Sequence, residues 1–299
     1  MKSILITGGT GFIGQQLCAD LLSKGYELTV LSRQSNADVR SICGRVTPIH
    51  STDEVPGLDT IDAVINLAGE GIAASRWTKS RKEKLMDSRV ALTRSLVDAL
   101  KLRTQKPEVF ISGSAVGYYG SQDSATITEN AAPNQRDFTH RLCSEWEKAA
   151  LPAEEFGARV CFSRTGIVVG KNGGFLARMT PPFRMGLGGR LGDGSQYMPW
   201  VHRDDVVRAL CWMLETPTAS GPYNVVSPRA VTNDDFTRAL GRTLGRPTLI
   251  PVPAFVLKLG LGEMATLLLE GQNAKPARLQ SEGFDFRYSD LDSALKASL

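Results

Sequence analysis

The sequence predicts an α/β fold: a doubly wound parallel sheet with a smaller C-terminal lobe. Two observations carry this. The stretch Ile4-Leu5-Ile6-Thr7-Gly8-Gly9-Thr10-Gly11-Phe12-Ile13-Gly14 runs from a short apolar segment into three spaced glycines, Gly8, Gly11 and Gly14, and a helical pattern follows. Further short apolar segments then alternate with helical patterns, and several run into turns of small residues. That alternation is how parallel strands with crossover helices look in sequence. The implied strand order is 3-2-1-4-5-6-7.

The first strand, Ser3 to Ile6, is branched and apolar, which suits burial on both faces. Gly8 lets the chain turn sharply, Gly11 has no side chain to hold a ligand away, and Gly14 lets the next helix sit close to the sheet. That helix, about Phe12 to Ser23, directs its N-terminal N–H groups and positive dipole end at the turn. A pyrophosphate is the group such a turn favours, which makes Gly8, Thr10, Gly11, Phe12, Ile13 and Gly14 candidate dinucleotide contacts. Lys24-Gly25 closes the helix before a second strand, Glu27 to Leu31.

That strand ends at Ser32-Arg33, where an NAD-binding fold normally places a carboxylate for the adenosine ribose. An acid there would repel a 2′-phosphate, whereas Arg33 can pair with it and stack on adenine. The expected cofactor is therefore NADP(H); the alternative is a solvated surface arginine. A weak strand follows at Val46 to Ile49, then a clear one at Asp62 to Gly69. Leu67, Ala68 and Gly69 fall at the carboxyl end of the sheet, where small side chains let a cofactor approach the backbone.

Composition narrows the function classes. The chain has 299 residues, enough for one large domain or two intergrown ones. The net charge of +4 is slight and does not argue for nucleic acid, which usually needs a basic stripe with a recognisable module, and no nucleic-acid partner is expected; it is compatible with an anionic ligand. The five cysteines, at 18, 43, 143, 161 and 211, form no CxxC pair, and the three histidines, at 50, 140 and 202, have no metal spacing. Reduced thiols, a cytoplasmic location and no metal are expected. No secretory h-region follows Met1-Lys2, and the apolar stretch 252–269 is broken by Lys258 and Glu263, so no membrane span is expected.

Farther on, Ser80-Arg81-Lys82-Glu83 reads as a capping box opening a long helix to about Leu102, with Leu85, Leu92, Leu96 and Leu100 on its apolar face. The next strand is Glu108 to Ile111, leading into Ser112-Gly113-Ser114-Ala115-Val116-Gly117-Tyr118-Tyr119-Gly120. Arg159 to Val169 reads as one more strand and Tyr223 to Val226 as the last. Asp204-Asp205 reads as the acidic start of a helix rather than a paired-carboxylate site.

Thr7-Gly8-Gly9-Thr10-Gly11-Phe12-Ile13-Gly14 resembles the TGxxGxxG signature of extended short-chain dehydrogenase/reductases, the group of nucleotide-sugar epimerases and dehydratases, and Asn66 to Gly69 resembles their N-x-A-G motif. The resemblance implies a cofactor-facing Arg89, with a solvent-facing arginine as the alternative. It implies a serine that bonds the reacting oxygen at Ser114, a catalytic tyrosine at Tyr118, and Val168 beside the nicotinamide. The sequence departs from that family at YxxxK: Thr139 falls where the tyrosine belongs and Cys143 where the lysine belongs, and none of the six tyrosines has a lysine four residues on. His140 is one residue off the expected face. This combination resembles an atypical branch, the "epimerase family" with an extra C-terminal segment, as do Arg76-Trp77, Ser88-Arg89, Arg164 to Val168, Pro182 to Gly189 and Trp200-Val201-His202.

The expected division is 1–170 for the dinucleotide-binding part, with 203–226 returning to it, and 171–202 plus 227–299 for the substrate lobe. Arg178, Arg184 and Arg190 suit a diphosphate; a surface lid is the other reading. The function expected is an NADP(H)-dependent oxidoreductase or epimerase-like enzyme on a small polar anionic substrate, a nucleotide sugar among the candidates. The alternative is a catalytically decayed NADP(H)-binding regulatory or scaffold protein, and a homodimer is open to either.

Overall fold

The computed structural model describes residues 2–122, 124–134 and 136–299. Seven strands form one all-parallel sheet: β1 (Ser3–Thr7), β2 (Glu27–Leu31), β3 (Thr47–Ile49), β4 (Ala63–Asn66), β5 (Val109–Ala115), β6 (Arg159–Thr165) and β7 (Gly221–Val225). Their spatial order is β3-β2-β1-β4-β5-β6-β7, as the alternating pattern implied. The order reverses at β1, so the crevice between the ends of β1 and β4 is the topological switch point, where open α/β sheets bind ligands.

Helices cover both faces. α1 (Phe12–Ser23), α2 (Asn36–Cys43), α3 (Lys79–Met86), α4 (Leu92–Lys101), α5 (Phe138–Ala150), α6 (Leu176–Arg184), α7 (Arg203–Glu215) and α8 (Asn233–Leu244) are the longer ones, with Ala254–Leu261 and Leu291–Ser298 near the C-terminus. One core packs α1 and α7 on the β1 face through Ile4, Ile6, Leu17, Leu21, Val206 and Leu210. A second packs α4 on the other face through Leu5, Val64, Phe110, Leu96 and Leu100. Val30, Ile65 and Ile111 in the first core alternate with Leu5, Val64 and Phe110 in the second, the period of two that strands impose. A separate core joins Leu176, Phe183, Met198, Trp200, Phe236, Leu240, Leu291 and Leu295.

Three local expectations are corrected. The long helix starts at Lys79, not at a Ser80 capping box: the Thr78 hydroxyl accepts the Arg81 N–H, and position N3 holds an arginine that cannot reciprocate. It is also interrupted by a π-helical turn, Asp87–Ala91, which carries Arg89. Arg159 to Val169 is two strands. Gly166 breaks it, because the Pro199 carbonyl sits where a Cβ would be, at 1.9 Å, and Ile167–Val169 leaves the sheet to pair with Trp200–His202.

Candidate cofactor and substrate site

The glycine turn follows directly from packing. Gly8 has φ +72°, and a Cβ on it would meet the Leu67 carbonyl carbon at 2.7 Å and the Ala68 nitrogen at 2.9 Å. The turn after β1 therefore lies flush against the turn after β4. A Cβ on Gly14 would stand 2.2 Å from the Gly8 oxygen, so α1 packs closely only with glycine there. Gly11 differs, since only the Gly8 oxygen, at 3.2 Å, approaches its Cβ position.

The N-terminus of α1 has no side-chain cap and no acid in its first turn. Its leading N–H groups are thus left for an anion, the fit a pyrophosphate requires. A buried polar chain holds the two turns together. The Thr7 hydroxyl donates to Asn66 Oδ1 at 2.6 Å and accepts the Ala68 N–H at 3.0 Å, and Asn66 Nδ2 donates to Thr93 at 2.7 Å.

The other proposed cofactor contacts surround this turn. Phe12 packs under Gly170, Gly173 and Gly174, with the Arg203 guanidinium 4.7 Å from its ring centroid. The Thr10 carbonyl accepts from Gln15. Ile13, Leu67 and Val168 are half-buried against the same core. Ser32 caps its own turn by accepting the Gln34 N–H, and Arg33 reaches into solvent except for one ion pair, to Glu70 at 3.1 Å. Arg81 holds the other oxygen of Glu70 at 3.4 Å, and the bonds from Arg33 and then Arg81 keep that carboxyl below its ordinary range.

Arg89 is not a solvent-facing helix arginine. Its guanidinium donates to the Glu70 carbonyl at 2.9 Å and the Leu85 carbonyl at 3.3 Å, lies over Trp146, and fills the space beside Gly69. Burial pulls its pKa down. The π turn brings this buried cation to the edge of the crevice, consistent with such turns occurring at functional sites.

A cleft of about 300 Å³ adjoins the end of β5. Ala115, Val116, Gly117, Asp137, Thr139, Cys143, Thr165 and Ile167 line one side, and Leu191, residues 196–199, Asn233, residues 266–268 and residues 270–272 contribute the other. Ser114 and Tyr118 are absent from this lining. Successive strand side chains alternate, so the residue of β5 that faces the cleft is Ala115 and Ser114 points away. Ser114 is buried and its hydroxyl donates to Glu147 at 2.6 Å. Glu147 in turn receives two bonds of 2.8 Å from Arg164, which also donates to the Tyr119 hydroxyl at 2.9 Å. Tyr119 donates to Asn224 at 2.8 Å. Burial works to lower the Arg164 pKa, and the bonds and charge of Glu147 outweigh it and raise it. The Tyr118 ring lies against the Arg164 guanidinium, 3.5 Å from ring centroid to Cζ. Ser114 therefore belongs to a buried network behind the cleft wall, and the half-buried Tyr118 ring stacks on its arginine.

At the vacated tyrosine and lysine positions, Thr139 and Cys143 do line the cleft. The Thr139 hydroxyl donates to Asp137 at 2.8 Å, and Asp137 caps α5 by accepting the His140 N–H. Gly117 leaves room for this approach, since its Cβ position is 3.1 Å from Thr139 Cβ. Burial, and then the Glu147 charge, push the Cys143 thiol up to about 12. His140 is turned away, its Nδ1 bonded to the Tyr118 carbonyl at 2.6 Å. Asp205 accepts the Arg287 and Tyr288 N–H groups at 2.8 Å, so it anchors the C-terminal segment. Asp137 and Glu270 escaped the sequence reading; a helix-start aspartate before Phe138 was the only signal for the first, and Glu270 had none.

Residues 4–226 match the NAD dependent epimerase/dehydratase family, and residues 252–298 match a domain of unknown function, DUF1731. An epimerase family protein of Staphylococcus haemolyticus is 37% identical over 99% of this chain and 98% of its own length. The crystal structure of human epimerase family protein SDR39U1 with NADPH superposes with a TM-score of 0.90 at 35% identity, covering 98% of both chains. The UDP-glucose 4-epimerase of Thermotoga maritima, solved with UDP-glucose, has a TM-score of 0.81 at 20% identity over 99% of this chain and 97% of that one, a likeness of fold. This chain belongs to the NAD dependent epimerase/dehydratase family, with the additional C-terminal segment found in its epimerase family relatives.

Proposed function

We propose that this chain binds NADP(H) across the ends of β1, β2 and β4 and is an oxidoreductase or epimerase-like enzyme acting on a molecule held in the adjoining cleft. The observation that carries this is the uncapped N-terminus of α1 delivered by Gly8, Gly11 and Gly14. Ser32 and Arg33 at the end of β2 support the phosphorylated cofactor, as does the NADPH-bound human relative at 35% identity. The α1 turn would hold the pyrophosphate, Ser32 and Arg33 the 2′-phosphate, and Leu67, Ala68, Gly69, Arg89 and Val168 the remainder. The bound nicotinamide supplies a hydride donor or acceptor.

The chain's own part is proton handling and positioning. Thr139, bonded to Asp137, can orient a substrate oxygen while the carboxylate takes its proton. Ser114 holds Glu147 in place behind the wall and does not polarise substrate. Residues 1–170 with 203–226 supply the cofactor side, and the segments around them close the cleft. Five buried free thiols suit a reducing compartment such as the cytoplasm.

A second reading, a cofactor-binding protein without turnover, is favoured by Thr139 and Cys143 standing where the family relies on tyrosine and lysine, and by Ser114 lying outside the cleft lining. A fluorescence titration with NADPH, followed by NADPH absorbance across a panel of aldehydes, ketones and nucleotide sugars, separates the two. Consumption of NADPH by any compound, reduced by Asp137→Asn, supports the enzyme. Tight NADPH binding with no turnover supports the binding protein, and no NADPH binding overturns both.

A further inference from the structure

The expectation of an anionic substrate drew on the net charge and on Arg178, Arg184 and Arg190, and none of these arginines lines the cleft. Arg178 is held at the rim by the Ala73 carbonyl, and Arg184 and Arg190 are exposed. Instead the walls are apolar, built largely from Ile72, Val116, Ile167, Phe175, Leu191 and Met198. Two ionisable carboxyls, Asp137 and Glu270, also line it, and no lysine or arginine does among the described residues.

We propose that this cleft takes a largely apolar ligand that is uncharged or carries an amine, and rejects anions, sugar nucleotides included. The proposal deepens the enzymatic reading and rests on it for the identity of the neighbouring cofactor site. The volume of about 300 Å³ is that of a small organic molecule. Apolar walls favour a ligand that buries hydrocarbon and disfavour one that must lose the hydration of a diphosphate. The two carboxyls set the sign of any charge admitted. Asp137 accepts bonds from Thr139 and the His140 N–H, and no cation is bonded to it among the described residues. The Glu270 carboxyl has no ion-pair or hydrogen-bond partner among the described residues, and burial followed by the charge of Asp137 raises its pKa. A second anion would meet the same repulsion, whereas an ammonium would relieve it.

The nearby cations do not reverse this. Arg89 is pinned to the Glu70 and Leu85 carbonyls on the cofactor side. Lys258 lines a neighbouring groove with Asp193, Glu263 and Glu270, and its charge only partly offsets burial and the charge of Asp137, so the Glu270 pKa is still raised.

The test is calorimetric titration of the full chain, with and without NADPH, using phenethylamine, benzylacetone, hydrocinnamate and UDP-glucose as probes of matched or contrasting charge. The expected result is binding of the amine and the ketone at least about tenfold tighter than of either anion. Glu270→Gln combined with Asp137→Asn, which keeps the helix cap, should remove any advantage of the amine over the ketone. Hydrocinnamate or UDP-glucose binding as tightly as benzylacetone overturns the proposal, and so does binding of none of the four. Failure to bind NADPH with the amine preference intact would overturn the cofactor reading and leave this one standing.

Discussion

Glu70, just past the end of β4, holds Arg33, just past the end of β2, through an ion pair of 3.1 Å. On the proposed cofactor placement, the carboxylate competes with the 2′-phosphate for the Arg33 guanidinium. Arg81 holds the second oxygen of Glu70, so Arg33 can leave without stranding the acid. Arg33→Ala should weaken NADPH by about 1.5 kcal/mol, the low end for a charged hydrogen bond because Arg33 is so exposed, and leave NADH unchanged. Glu70→Gln should tighten NADPH a few-fold with NADH again unaffected. Calorimetry with both cofactors decides, and equal responses of NADPH and NADH to Arg33→Ala would place the 2′-phosphate elsewhere.

The glycine turn separates binding from folding. At Gly11 only one backbone oxygen approaches the Cβ position, so Gly11→Val should fold and lose NADPH binding by filling the pyrophosphate space. At Gly14 the added carbon meets backbone at 2.2 Å, so even Gly14→Ala should force α1 off the sheet and lower the melting temperature. The contrast is measured by thermal melts beside NADPH titrations. A destabilised Gly11→Val with normal binding per folded molecule would argue against the assignment.

Ser114 is expected to matter for stability and little for chemistry. Ser114→Ala removes one bond to a buried carboxylate and should cost about 1.5–3 kcal/mol in denaturant unfolding. Arg164→Met leaves Glu147 charged and unpaired and should cost about 3–5 kcal/mol. Once a substrate is found, turnover per folded molecule should survive Ser114→Ala. A hundredfold loss with unchanged stability would restore the oxyanion role that the resemblance implied.

The sheet and the cofactor turn were predictable because their determinants are local. Strand, glycines and helix lie within residues 3–23, and each constrains its neighbour. Ser114 misled for an equally local reason. A shift of one residue on β5 exchanges the two faces, and Ser114 and Ala115 cannot be assigned faces without the partner α5. Glu70 meeting Arg33, or Glu270 facing Asp137, depends on segments 37 and 133 residues apart, and no spacing rule connects them. The far wall of the cleft, from 191, 196–199, 233, 266–268 and 270–272, is of the same kind: its apolar character was visible, but its position was not.

Cys143 offers a thiol-based route only if it ionises, and the fold works against that. Burial, and then the Glu147 charge, push it up to about 12. Burial likewise raises Cys161 and Cys211 to about 11, and Cys18 and Cys43 also move upward. At neutral pH Cys143 should therefore resist iodoacetamide in the native protein and react once it is unfolded, read by mass spectrometry of the labelled peptide. The same shifts fix the alkaline limb of stability. A thiol ionises at about 8.5 in the unfolded chain and only at higher pH in the folded one, so the unfolded state sheds the proton first. The contribution of these groups is complete below about pH 8.5 and is lost as pH rises through 11 to 12. Denaturant midpoints should stay flat from neutrality to about pH 8.5 and fall steadily above it. Cys143→Ser should make that fall shallower and leave turnover per folded molecule in place. Rapid native labelling of Cys143 at neutral pH, or loss of all turnover in Cys143→Ser, would instead make the thiol a participant in the chemistry.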